Sequence, residues 1–277
     1  MTLPVPRTYA FPPGGLPPMD ADAALNRAVF TTAYAFIPAV TMRDITTSYF
    51  PDWHRTRAWI IARPLSGFAE TFAQYAVEVA PGGGSDRPEP DTGAEGVLLI
   101  ASGAAHLTLN GAAHLMQSGG YAFLPPGCAW TLHNRGTTPL QFHWIRRRYQ
   151  PATGLPTPAP FVTSDEANPI RWMPGTDTWG TTRFADPADL SHDMHVNIVT
   201  FHPGGLIPFA ETHVMEHGLY VLQGTARYLL NTDWVDVAPG DFMWLRAFCP
   251  QACVATGTEP FRYLLYKDVN RHPSLTL

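Results

Sequence analysis

A single lysine, Lys267, stands among the 18 basic residues of this 277-residue chain, and every other one is arginine. Charged residues make up only 15% of the sequence and the net charge is −5, so the basic footprint that a nucleic-acid surface needs is missing. Cysteine is scarce. Cys128, Cys249 and Cys253 cannot form a disulfide framework, and no CxxC pair exists for a zinc ribbon. Nowhere do about 18 apolar residues run together, which excludes a membrane-spanning helix. The opening MTLPVPRTYAFPPGG has no apolar stretch behind a basic start, so no secretory signal is expected and the cytoplasm is the expected location.

Other residues are plentiful. Hydrophobic residues reach 45%, enough for a sizeable core and too many for a disordered chain. With 28 prolines, 23 glycines and 12% aromatics, the composition favours short strands and many turns over long helices.

The chain also repeats itself. GVLLIASGAAHLTLNGAAHLMQSGGYAFLPPGCAW matches HGLYVLQGTARYLLNTDWVDVAPGDFMWLRAFCPQ without a gap, Gly103 pairing with Gly224, 121 residues later. The same offset pairs Asn110 with Asn231, Gly119 with Gly240, Cys128 with Cys249 and Pro139 with Pro260. Within each copy the runs are strand-like, as in Tyr228-Leu229-Leu230 and Trp234-Val235-Asp236-Val237, and Asn110-Gly111 and Asn231-Thr232-Asp233 mark hairpin turns. An Ala-rich stretch from Asp22 to Val29 is the one helix candidate. The expected fold is all-β: two tandem barrels or jelly rolls with a short mixed N-terminal arm. Arm and first barrel take 1–150, a Pro-rich linker 151–170 and the second barrel 171–277.

Chemistry concentrates in the second copy. Glu211-Thr212-His213-Val214-Met215-Glu216-His217-Gly218 reads as a strand on which Glu211 and His213 share a face. His217 follows beside a glycine that lets the chain turn, and Gln251 lies on what should be a neighbouring strand. One carboxylate, two imidazoles and a carboxamide form a hard, mixed N/O donor set, better suited to Mn²⁺ or Fe²⁺ than to structural Zn²⁺. In the first copy the matching positions are Pro90, Thr92, Gly96 and Trp130, none a ligand, so one metal per chain is expected. His213 to His217 also spells H-x-x-E-H, the inverzincin protease signature, but that motif needs a helix and this context is β. Glu216 matches Glu95 in the metal-free copy, which favours a structural role for it.

Two glycine-bounded barrels with a metal set in the first motif resemble the cupin superfamily, here as a bicupin. The exchanged ligand set in ETHVMEHGLYVLQG, followed by PQ and YLLYKDVNR, resembles the (S)-ureidoglycine aminohydrolase family of allantoin degradation, as do NRAVFTTAYAFI, LPPG and RRRY. The resemblance implies a manganese hydrolase converting (S)-ureidoglycine and water to (S)-ureidoglycolate and ammonia. It implies Glu211, His213, His217 and Gln251 as ligands of one Mn²⁺, and Tyr228, Tyr263 and Lys267, with Glu211, as groups touching a small ureide substrate. Of these, Lys267, Tyr263 and Tyr228 are the catalytic candidates; lysine can exchange a proton near neutrality when buried beside a cation, and arginine cannot. His195 and Asn197 stand in exchanged order relative to the family, which affects substrate contacts along that strand. A homo-oligomer, with neither nucleic acid nor membrane as partner, is the expected assembly. Two alternatives are a non-catalytic metal-containing bicupin that binds a small polar metabolite and an Fe-dependent cupin dioxygenase.

Overall fold

The computed structural model describes residues 5–14, 28–42, 50–268 and 271. Among these, twenty strands and two single 3₁₀ turns make up the regular structure, so the expected all-β class holds. No helix there is long and apolar enough to cross a membrane. Residues 22–27 of the predicted helix lie outside the described residues, and Val29 opens the short strand Val29–Phe30. The repeat is visible in the backbone. Asn110 and Asn231 both take left-handed φ, 48° and 60°, at their hairpin turns, as their short polar side chains allow.

The first barrel is a nine-stranded sheet in which Leu140–Arg148 lies between Ala73–Ser85 and Ala94–Ser102. The second is an eight-stranded sheet in which Phe261–Asp268 lies between Met194–Phe201 and His217–Gln223, closed by a small sheet of Asp233–Val237, Ala226–Leu230 and Gln251–Ala255. Alternate residues of these central strands serve two different cores. Leu219, Val221, Tyr263 and Leu265 fill the second barrel, as Leu98, Ile100, Phe142 and Trp144 fill the first. The opposite faces, with Tyr220, Leu222, Leu264 and Tyr266 on one side and Val97, Leu99 and Ile145 on the other, merge into a single cluster between the barrels. Burial on both faces explains why YVL and YLLY read as continuous apolar runs rather than as alternating ones.

Two segments go beyond the expected layout. Tyr34–Ile37, in the N-terminal arm, pairs antiparallel with Phe242–Leu245 of the second barrel, Tyr34 opposite Leu245. Phe161–Ser164, within the stretch expected to be a linker, pairs with Gly120–Leu124 of the first barrel. Each covers an apolar strand whose free edge would otherwise offer unpaired backbone groups.

The interface also carries polar residues. Arg147 donates to the Asp193 carbonyl at 3.1 Å and to the Tyr266 hydroxyl at 3.3 Å, and its guanidinium pairs with the Asp193 carboxylate at 3.2 Å. Glu95 lies opposite Arg147 across the strand pair and is 1% exposed, with neither carboxylate oxygen hydrogen-bonded. Burial, reinforced by the Asp193 charge, pushes its pKa from 4.5 up to about 8. In the unfolded chain this carboxyl ionises near its ordinary value, so its contribution to stability is full below that value and is lost as pH rises through about 8. Glu95→Gln is therefore expected to melt above the parent at pH 8–9, by up to about 1.4 kcal/mol per pH unit of the interval, with the gap closing towards pH 5. Parallel melting curves across pH for both proteins would show that the carboxyl is ionised throughout.

Candidate metal centre

The site residues sit at one end of the second barrel. His217 is the first residue of His217–Gln223 and shares its inward face with Leu219 and Val221. Gln251 opens Gln251–Ala255. Glu211 and His213 are not on a strand. Glu211 forms an isolated bridge to Gln251 with two 2.9 Å backbone hydrogen bonds, and His213 lies in the loop beyond it. The alternating pattern E-T-H is that of a strand, but the chain has no second partner here to extend the ladder. The loop is held instead by the Phe248 amide, which donates to the His213 carbonyl at 2.6 Å.

The structure draws the predicted ligands together. His213 Nε2 is 3.3 Å from Glu211 Oε1, and the rings of His213 and His217 stack with centroids 5.0 Å apart. Among the described residues no three His, Cys, Asp or Glu side chains stand in ready-made ligating geometry; the predicted set is completed by the Gln251 amide. The donor chemistry fits a divalent cation. His217 Nδ1 donates to the Met215 carbonyl at 3.0 Å, which fixes the tautomer and leaves Nε2 as a lone-pair donor. Burial first, and the neighbouring His213 second, lower the His217 pKa to about 3, so its imidazole is neutral at physiological pH.

Lys267 occupies the same register level, its Cα paired with His217 on one side and His195 on the other. It lies on the barrel-facing side of its strand with Tyr263 and Leu265. Burial, then the nearby Arg183 charge, lowers its pKa. His195 and Asn197 share that inward face and are both buried. Tyr263 is four residues and roughly 13 Å of strand from Lys267, with Leu265 between them, and so lies deeper in the barrel. Tyr228 is fully buried and donates to Gln251 Oε1 at 2.9 Å.

The first barrel shows what replaces such a site. Gly96 stands at the His217 position, where an added Cβ would lie 3.0 Å from Trp144 Nε1. Trp130, at the Gln251 position, packs edge-on against Trp144 with centroids 5.8 Å apart. Indole rings thus line the place that imidazole and amide occupy in the second barrel.

Gly218 does not turn the chain, contrary to its expected role. It is the second residue of the strand His217–Gln223, and an added Cβ would lie 2.4 Å from Phe72 Cζ, whose ring stacks on Tyr266 with centroids 4.0 Å apart. The H-x-x-E-H segment is loop and strand, with no helix. Its Glu216 accepts the amides of Glu70 and Thr71 at 2.8 and 3.0 Å and the Thr71 hydroxyl at 3.2 Å. It therefore ties the strand that carries His217 to the first barrel. The Glu70–Thr71 partners and Arg183 carried no sequence signal, because their contacts to the site span long separations; the match of Glu216 to Glu95 was the one hint.

This architecture and donor set define a two-domain cupin. The family model for the Cupin domain matches residues 75–146 and 197–266. The chain is 30% identical to (S)-ureidoglycine aminohydrolase of Escherichia coli K12 over 253 residues, 90% of this chain and 94% of that protein. It is 30% identical to the Arabidopsis thaliana enzyme of the same name over 249 residues, 90% of this chain and 80% of that one. A crystal structure of a glyoxylate-induced protein from Pseudomonas aeruginosa superposes with a TM-score of 0.91 at 59% identity, covering 98% of this chain and 99% of that one. The chain belongs to the (S)-ureidoglycine aminohydrolase family.

Because Glu216 holds a loop rather than a ligand, Glu216→Gln is expected to keep the site's metal uptake and to lose about 1–3 kcal/mol of stability through its weakened acceptors. Thermal melts and elemental analysis of the variant check both. Loss of metal with an unchanged melt would give Glu216 back to the site.

Proposed function

We propose that the second barrel is a manganese site at which (S)-ureidoglycine and water become (S)-ureidoglycolate and ammonia. The observation that carries this is the meeting of His213, Glu211 and His217 at one barrel end with Lys267 level with His217. The names of the E. coli and Arabidopsis relatives support the same substrate. Glu211, His213, His217 and Gln251 would hold the cation, whose chemistry there is to anchor and polarise the substrate's polar groups. The reaction breaks the bond from carbon to the amine and forms one to water oxygen, while a water proton moves to the departing nitrogen.

Lys267 handles that proton. A lysine whose pKa is lowered by burial and by the Arg183 charge gives up a proton at Nζ more readily than an exposed one and can take it back. His195, on its other side, has a pKa lowered to about 4 by burial and by the Lys267 charge, so it is a neutral hydrogen-bonding wall rather than a second cation. Tyr263 has a strongly raised pKa from burial, so it keeps its proton and lines the barrel below the reacting layer as a donor. The three cysteines are free, which suits a reducing compartment such as the cytoplasm.

Protein loaded with Mn²⁺ is expected to carry one equivalent per chain and to release ammonia from freshly made (S)-ureidoglycine without oxygen uptake. His213→Ala and His217→Ala should each lose both metal and activity. Oxygen consumption would point to a dioxygenase instead, and metal without turnover to a binding protein.

Lys267→Arg separates proton transfer from charge alone. Guanidinium binds carboxylates well but holds its proton above about pH 12, so the variant should retain Mn²⁺ and lose at least about a hundredfold in kcat. Near-parental turnover would reduce Lys267 to a carboxylate clamp.

A further inference from the structure

We infer that Tyr228 is a positioning residue whose hydroxyl fixes the orientation of the Gln251 amide, so that oxygen rather than nitrogen faces the cation. This role rests on the metal centre proposed above, and it differs from the substrate contact that family resemblance implies for Tyr228.

Three observations carry it. The first is the contact: Tyr228 donates to Gln251 Oε1 at 2.9 Å, with Tyr228 0% and Gln251 4% exposed. The second is where the pair lies. Ala226–Leu230 and Gln251–Ala255 are neighbouring antiparallel strands, Leu230 opposite Gln251 and Tyr228 opposite Cys253, so the two side chains meet inside the barrel wall. The third is the comparison between the two copies. At the equivalent places the first barrel has Leu107 and Trp130, both in its apolar core. The polar pair is present together in one copy and replaced together by an apolar pair in the other, which marks the hydroxyl and the amide as one unit.

The chemistry explains why the unit is needed. The two ends of a carboxamide are nearly alike in shape and opposite in polarity. A flipped Gln251 would point two N–H donors at a cation, whereas the oxygen has two lone pairs, one for the Tyr228 proton and one for the metal. His217 has the same kind of restraint in its Nδ1 bond to the Met215 carbonyl.

The test uses the full-length protein stripped of metal and titrated calorimetrically with Mn²⁺, in the parent, Tyr228→Phe, Gln251→Glu and the double variant. Tyr228→Phe should weaken Mn²⁺ binding by about 10–100-fold. At saturating Mn²⁺ its KM for ureidoglycine should stay within about twofold of the parent's. In the Gln251→Glu background both terminal atoms are oxygens and no flip has to be prevented, so adding Tyr228→Phe should change Mn²⁺ affinity by less than about threefold. Unchanged Mn²⁺ affinity with a raised KM would make Tyr228 a substrate residue and overturn the inference. Equal weakening in both backgrounds would overturn it as well, since the loss would then be general. A parent protein that takes up no Mn²⁺ would overturn the inference together with the metal centre it rests on.

Discussion

The strands that carry His217 and Lys267 are buried on both faces, and the rest of the molecule is built around that constraint. One face of Phe261–Asp268 looks into the second barrel and the other onto the first, so no side chain on it is free to vary without disturbing one core or the other. The inward face bears the chemistry and the outward face holds the strand still. Gly218 shows how tight this is: the residue beside a metal-ligand candidate has no side chain because the Phe72 ring takes the space. The first barrel thus serves the second as a rigid backing against which the candidate ligands are aligned.

The two copies also differ in what occupies the same place in the scaffold. A cavity lined by donors but empty of metal would leave polar groups without partners, at a cost of the order of 1–3 kcal/mol each. The first barrel has glycine at the His217 position and indoles in place of donors around it. Its remaining buried carboxylate, Glu95, lies on the opposite face of the sheet, where its counterpart Glu216 has three donors and Glu95 has none.

What was legible in the sequence was whatever is encoded locally or by repetition. The gapless 121-residue offset revealed two barrels; Asn-centred turns marked the hairpins; and Glu211, His213 and His217 stand out as a candidate donor set by clustering within seven positions. Glu211 and His213 were misread as strand residues because alternation is a statement about faces, and it says nothing about whether a partner strand is there. Gly218 was misread because a glycine's neighbour in space, Phe72, is far away in sequence. The pairings of Tyr34–Ile37 and Phe161–Ser164 had no periodicity that named their partners, and Thr71 carried no mark of its bond to Glu216.

The pairing of Tyr34–Ile37 with Phe242–Leu245 sets an order on biosynthesis. A ribosome makes the arm near the start and its partner near the end, so the arm emerges long before the edge it will cover exists. The first barrel can close in the meantime, since domains generally fold as they emerge. The stretch TTAYAFI, uncharged, aromatic and strand-prone, is meanwhile exposed in the nascent chain and resembles the short segments that seed cross-β association. Joining elements some two hundred residues apart is also slow, because the loop must close before any contact rewards it. An arm strand made early must therefore stay unpaired until Phe242–Leu245 has been made.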